Sequence, residues 1–312
     1  MRRRLLSGEC RESELEDGIA EHDLQRDRDG RGDRCRVAGH DLRLREPGRK
    51  VSRVHRNARR LRPEQRHRKP TRVVRIVEVG TVRTVLFDVG NTLFHLDYAF
   101  IADVLAEHGH PVEPAVLRVA EYGAKAAIDR ALTANGSLEF VLWRDDAARR
   151  PSYFAIVLEA VGVPPNAAAR ILDVLQAHNR ARCLWRVMEP DTPAVLDALR
   201  ARGYALGVVS NGDGRVEDDL VRAGLRPHFA TVVDSHVVGV EKPDPAIFRI
   251  ALERMGAEPA TTLYVGDVFA IDVLGARGAG LAAALIDPLG DYPGAADCRR
   301  IRRLADLLEL LP

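Results

Sequence analysis

The chain has 312 residues, 47 Lys and Arg against 45 Asp and Glu, and a formal net charge of +2. That is enough for one or two domains with substantial cores. No run of 18 apolar residues occurs, which excludes a membrane-spanning helix. The opening Met1-Arg-Arg-Arg-Leu-Leu continues into Ser, Gly, Glu and Cys rather than an apolar stretch, so it does not read as a signal peptide.

The near-neutral total hides an asymmetry. Residues 1–80 hold 23 Lys and Arg but 14 Asp and Glu, the remainder 24 against 31, and all aromatic residues lie beyond position 80. A segment without aromatics and dense in Arg cannot bury enough apolar surface to offset its ordering entropy, so 1–80 reads as a disordered extension. A basic arm for nucleic acid is the functional alternative, but no stacking aromatic supports it, and no nucleic-acid partner is expected. A coding start near Val79 or Val82 is a third reading. Cys10, Cys35, Cys183 and Cys298 show no metal or disulfide spacing, which fits a reducing cytoplasm.

The first strong element is Val82 to Phe87, a short β-branched and apolar run that predicts a buried strand. Residues 97–190 then show helical periodicity with breaks at His110-Pro111, Asn135-Gly136 and Val163-Pro164-Pro165, giving about four helices and no strand. Helices are expected over 191–203, 215–223, 244–255, 270–277 and 301–311. Strands are expected over 205–209, 229–233, 262–265 and 281–286. Alternation of this kind predicts an α/β fold with a doubly wound, mostly parallel sheet. Residues 81–96 and 191–312 would form the core, and 97–190 an inserted helical cap.

Ligands of such sheets bind beyond the carboxyl ends of the strands, and four polar sites fall there. The first is Asp88-Val89-Gly90-Asn91-Thr92; the second is Ser210-Asn211-Gly212; the third is Glu241-Lys242-Pro243-Asp244-Pro245; the fourth is Gly266-Asp267 with Asp272 five residues on. Each alone reads as a turn or helix cap. The third gains weight from composition, because Lys125 and Lys242 are the only lysines beyond residue 80 and an Arg-rich chain keeps a lysine where a compact ammonium is needed.

Taken in order, the Asp, Ser, Lys and Asp pair resemble the signature of the haloacid dehalogenase (HAD) superfamily, from about residue 82 to 312. The resemblance implies a Rossmann-like core, a helical cap of the first type, and a Mg2+-dependent phosphatase acting on small phosphorylated molecules. Asp88 would be the nucleophile that forms an aspartyl-phosphate. Ser210, Asn211 and Lys242 would hold the phosphoryl group, and Ser210 and Lys242 would share in catalysis. Asp88, the Gly90 carbonyl and Asp267 would hold Mg2+, with Asp272 as an outer-shell ligand.

One position departs from the pattern. Phosphatases of this superfamily carry a second Asp two residues after the nucleophile, as acid and base; here it is Gly90. Loss of a positioned acid/base costs roughly 10²–10⁴ in rate, least for acyl and aryl phosphates. His95 and Asp97 lie just downstream; His95 reads as a flap contact and Asp97 as a helix N-cap. A 2-haloacid dehalogenase is an alternative, since that branch also lacks the second Asp and the metal. A phosphonate hydrolase would use a cap lysine, and Lys125 is the one available, although it reads as a solvated helix-face residue. A non-catalytic Mg2+- and phosphate-binding protein is the remaining alternative. Trp143, Arg144, Trp185 and Arg186 are candidate cap contacts to substrate.

Overall fold

The computed structural model describes residues 81–135, 152–294 and 297–312. The expectations for 1–80, Trp143 and Arg144 fall outside these residues.

Six strands form one all-parallel sheet in the order β5-β4-β1-β6-β7-β8. They are β1 (Thr84–Phe87), β4 (Ala205–Ser210), β5 (Thr231–Asp234), β6 (Thr262–Gly266), β7 (Ala282–Ile286) and β8 (Arg299–Ile301). The chain runs from β1 outward through β4 and β5, then returns to the far side of β1 with β6. That reversal makes β1 the switch point, flanked by β4 and β6 with Phe87 in register with both Val208 and Val265. In open α/β sheets this is where the crevice for ligand opens.

Alternate residues of the strands bury on opposite faces, as the two-residue period of a strand requires. Val85 and Phe87 point into a core shared with Val195, Leu196 and Leu199 of α5 (Thr192–Ala201) and Leu220 of α6 (Val216–Arg222). Leu86, Val209 and Tyr264 point to the other face, against Ile247, Phe248 and Ala251 of α8 (Pro245–Met255). Each such fully buried side chain contributes about 1.5–3 kcal/mol. The strands leave no room for a side chain at Gly207, where a Cβ would sit 2.7 Å from Met255 Sδ and 2.8 Å from Leu86 Cδ2.

The cap is helical as expected, with α1 (Tyr98–Glu107), α2 (Pro114–Asn135), α3 (Tyr153–Ala160) and α4 (Pro165–Ala181) around Leu105, Leu117, Phe154, Ile171 and Leu175. Asp97 is the N-cap of α1, accepting from Phe100 N at 2.9 Å. Two strands were not anticipated. β2 (His95–Leu96) and β3 (Trp185–Val187) pair antiparallel where the chain leaves and re-enters the core. Runs of two and three residues are too short to carry a period. The expected helix over 301–311 is corrected too. The apolar residues there divide among edge strand β8, a 3₁₀ turn at Leu304–Asp306 and the short α10 (Leu307–Leu310), because pairing to β7 takes up Ile301.

Candidate active site

The four polar sequences converge at the carboxyl end of the sheet. Asp88 directly follows β1, held by its N–H donating to the Val265 carbonyl at 2.8 Å. Ser210 closes β4 beside it. Lys242 arrives from the loop before α8, and its ammonium lies 2.8 Å from Asp88 Oδ1 and 2.7 Å from Asp272 Oδ1. Asp267 follows β6. One carboxylate oxygen from each of Asp88, Asp267 and Asp272 lies within 4.8 Å of the others, and all three residues are buried.

Asp272 acts as the keystone of this arrangement. Its Oδ2 accepts from the N–H groups of Asp267 at 3.0 Å and Val268 at 2.8 Å, while its Oδ1 receives Lys242 at 2.7 Å. The Tyr264 hydroxyl, which accepts from Lys242 and donates to the Val209 carbonyl, lies 3.2 Å from the same Oδ1. With both oxygens so engaged, Asp272 holds the motif loop and the lysine. Gly266 is required by this crossing, since a Cβ there would lie 2.4 Å from Asp272 Cγ.

Asn211, expected among the phosphate contacts, directs its side chain to the Lys242 backbone, which leaves its own N–H as the group for such a contact. Its amide donates to the Lys242 carbonyl at 3.0 Å and accepts from the Lys242 N–H at 2.7 Å. Both ends of the side chain are therefore committed to placing Lys242 (an Asn beside a lysine loop satisfies two backbone groups at once).

Burial pushes the Asp88 carboxyl upward, with Lys242 opposing that shift. Burial also opposes the charge of Lys242, but the Asp272 and Asp88 carboxylates outweigh it and keep the ammonium protonated. Asp267 is pushed up to about 7, mainly by burial, with Lys125 pulling the other way and the neighbouring carboxylates adding to the rise.

The space beside Gly90 is occupied from the cap side. A Cβ built on Gly90 would lie 3.4 Å from both Cδ1 and Nε1 of Trp185. The indole of β3 thus borders the position where the family pattern places its second Asp. His95, just downstream, lies 3.9 Å from Glu189, and burial lowers its pKa. Arg186, the other candidate contact from β3, is spent on Asp97, with Nη2 at 2.7 Å and Nε at 2.9 Å.

Helix α2 brings further residues to the site, of which the sequence singles out only Lys125. Lys125 is 3% exposed and its ammonium lies 2.9 Å from Asp267 Oδ2, which corrects its reading as a solvated residue. Glu121, one turn earlier and 1% exposed, accepts hydrogen bonds from Tyr98, Tyr153 and Asn91 and lies 3.5 Å from Lys125. Asn91 adopts the left-handed conformation at φ 50°, which Asn tolerates better than most residues, and its amide also lies 3.3 Å from Asp267 Oδ2. On the same helix, Tyr122 donates to Asp287 Oδ1 at 2.9 Å and Asp129 accepts from Ala270 N at 2.8 Å. The 3.6-residue period puts 121, 122, 125 and 129 on one face, and that face is polar because it docks on the site rather than on solvent. The scarcity of lysine that singled out Lys242 applied equally to Lys125.

A parallel sheet reversing at β1, with a buried carboxylate and lysine cluster at its strand ends under an inserted helical cap, defines a capped α/β hydrolase architecture. The sequence pattern of the haloacid dehalogenase-like hydrolases matches residues 82–280, and the chain belongs to that family. It is 41% identical over 126 residues to the mouse haloacid dehalogenase-like hydrolase domain-containing protein 3, covering 40% of this chain and 50% of that protein. It is also 41% identical over 117 residues to the glyceraldehyde 3-phosphate phosphatase of Methanothermobacter thermautotrophicus, covering 37% of this chain and 51% of that enzyme. The chain thus spans about half the length of these two relatives. The solved structure of the HAD hydrolase YfnB of Bacillus subtilis superposes with a TM-score of 0.53 at 22% identity, covering 74% of this chain and 98% of that one, which supports the fold. Among the described residues, no helix is long and apolar enough to cross a membrane.

Proposed function

We propose that this hydrolase is a Mg2+-dependent phosphatase of small phosphorylated molecules, working through an aspartyl-phosphate on Asp88 in the cytoplasm. The observation that carries this reading is the cluster of Asp88, Asp267 and Asp272 around Lys242 at the switch point of the sheet. The phosphatase named among the relatives supports the substrate class.

The residues present fit the metal. Asp88, Asp267, Asp272 and Glu121 are four buried carboxyl groups facing two buried ammonium groups, Lys125 and Lys242. Their formal balance of −2 is the charge a divalent cation cancels, and a hard cation takes oxygen donors. Asp88, Asp267 and the Gly90 carbonyl would hold it, and it would offset the negative charge of the phosphate as the nucleophile approaches.

The chain's own residues account for the first half of the reaction. An Asp88 oxygen attacks phosphorus; the new O–P bond forms as the bond to the leaving oxygen breaks. Lys242, fixed by Asn211, Tyr264 and Asp272, spreads positive charge over the incoming phosphoryl oxygens, while Ser210 and the backbone N–H groups after β4 donate to them. In the second half, water attacks phosphorus and Asp88 is released. Neither half has a carboxylate at position 90 to give or take a proton, and the Trp185 indole beside it is no substitute. Substrates whose leaving group is stable as an anion are therefore preferred, and release of the phosphoryl group from Asp88 limits turnover.

The test is hydrolysis of p-nitrophenyl phosphate and acetyl phosphate, with Mg2+ and with EDTA. Mg2+-dependent release that is lost in Asp88→Asn supports the reading. A second reading, a metal-independent 2-haloacid dehalogenase, gains from the Trp185 indole beside Gly90 and the Lys125 ammonium on Asp267. Chloride release from 2-chloropropionate in EDTA would establish it in place of the phosphatase. Binding of Mg2+ and tungstate without turnover of any of these would instead mark a non-catalytic member of the fold.

A further inference from the structure

The proposed reaction makes no use of Lys125, yet the fold goes to some length to bring it in. A buried ammonium costs several kcal/mol unless it is well paired, and this one touches two carboxylates, Asp267 Oδ2 at 2.9 Å and Glu121 Oε1 at 3.5 Å. It is almost wholly withdrawn from water, and both of its neighbours are acids that complement an ammonium. It is therefore a fixed cation; an amine that attacks a carbonyl has to be neutral.

Glu121 is fixed as well. Tyr98, Tyr153 and Asn91 all donate to it, and it sits one helical turn before Lys125, so the two stay neighbours whatever α2 does. Asp267, in contrast, belongs to the core. The lysine thus has one partner on its own helix and one across the interface.

We propose that Lys125 is an internal cation that neutralises Asp267 until a divalent metal binds, and that metal binding transfers its ammonium to Glu121. The inference rests on reading Asp267 as a metal ligand. Both cations seek the same carboxylate, and excess positive charge there is relieved by a rotation of the lysine side chain towards a carboxylate already within 3.5 Å. The transfer also removes one of the ties between α2 and the core, while those of Glu121 with Asn91, Tyr122 with Asp287 and Asp129 with Ala270 remain. Metal occupancy and the hold of the cap on the site are coupled in this way.

Calorimetric titration of Mg2+ into the full chain and into Lys125→Met tests the proposal, with thermal melting of both proteins in EDTA and in saturating Mg2+. The variant should bind Mg2+ at least about tenfold more tightly, within the range of coupling between linked sites. It should melt below the wild type in EDTA, and that deficit should close in Mg2+. Loss of a positive charge alone would tighten metal binding and, by linkage, close the deficit; what distinguishes displacement from repulsion is Glu121→Gln, which removes the receiving carboxylate and should weaken Mg2+ binding more in the wild-type background than in Lys125→Met. Unchanged affinity, or a deficit of the same size in Mg2+, overturns the proposal while leaving the metal site intact. Mg2+ binding to neither protein overturns the metal-dependent reading along with it. If Lys125→Met fails to fold, the wild type still decides. The chain has four lysines, Lys50, Lys69, Lys125 and Lys242, so ammonium resonances of 15N-lysine protein are few. Mg2+ should move the Lys125 signal, identified by its absence in Lys125→Arg, and a signal that does not move contradicts the transfer.

Discussion

Replacing Asp272 by Asn changes the charge at one buried point while keeping the shape of the side chain. The amide oxygen can still accept from the N–H groups of Asp267 and Val268, which the carboxylate holds at 3.0 and 2.8 Å. Its NH2 group then faces the Lys242 ammonium, donor against donor, where the carboxylate accepted at 2.7 Å. Removing one partner of a buried ion pair costs about 3–5 kcal/mol. Lys242 keeps Asp88 at 2.8 Å, which places the expected loss near the lower end, about 3 kcal/mol. For a folded part of this size each kcal/mol lowers Tm by about 2–4 °C, so Asp272→Asn should melt roughly 6–12 °C lower. Circular dichroism melts at fixed pH in EDTA measure this. A shift under about 2 °C would mean that Asp272 does not anchor Lys242, and the keystone account would fail.

Other predictions follow from the same geometry. Gly90→Ala should be tolerated, since its Cβ meets Trp185 at an ordinary 3.4 Å contact, whereas Gly90→Asp drives a longer side chain towards the indole and should lose about 1–3 kcal/mol; a Gly90→Asp protein as stable as wild type would show that the indole yields freely. His95 has a pKa lowered by burial, with Arg118 and Lys125 assisting and Glu189 opposing. Below about pH 6.5 the unfolded chain takes up a proton at this histidine that the folded chain resists, so its contribution is present above that pH and is lost as pH falls through it. The stability advantage of wild type over His95→Gln should therefore shrink between pH 7.5 and pH 5.5 in urea unfolding, and a difference that does not vary with pH would contradict the assignment.

The fold was legible because each core strand carries a buried apolar run closed by a polar residue. Val82 to Phe87 before Asp88 and Thr262 to Val265 before Gly266-Asp267 are the clearest cases, and the parallel order follows from the helices between them. The β2–β3 pair was not legible: five residues in two strands are defined by their partner, not by any periodicity of their own. The same holds for β8, whose single buried residue, Ile301, looked like the start of the terminal helix. At the site, the residues that follow strands could be found by position. Glu121 could not, and Lys125 stood out by its rarity but read as solvated, because their spacing is equally that of a solvated i,i+4 pair. Only the docking of α2 on the core turns that pair inward, and docking is a tertiary fact. Asn211 was placed in the correct loop, but the partner of its amide, the backbone of Lys242, lies 31 positions away.

The central claim is that Asp88 accepts the phosphoryl group, and that the absence of a carboxylate at Gly90 makes its release slow. Rapid mixing of the enzyme with p-nitrophenyl phosphate and Mg2+, followed by acid quench and mass spectrometry of the peptide carrying Asp88, tests both parts directly. The account predicts a burst of p-nitrophenolate approaching one equivalent of enzyme, with a phosphoryl group on Asp88 and neither burst nor adduct in Asp88→Asn. Steady release of phosphate with no burst and an unmodified Asp88 peptide would contradict it.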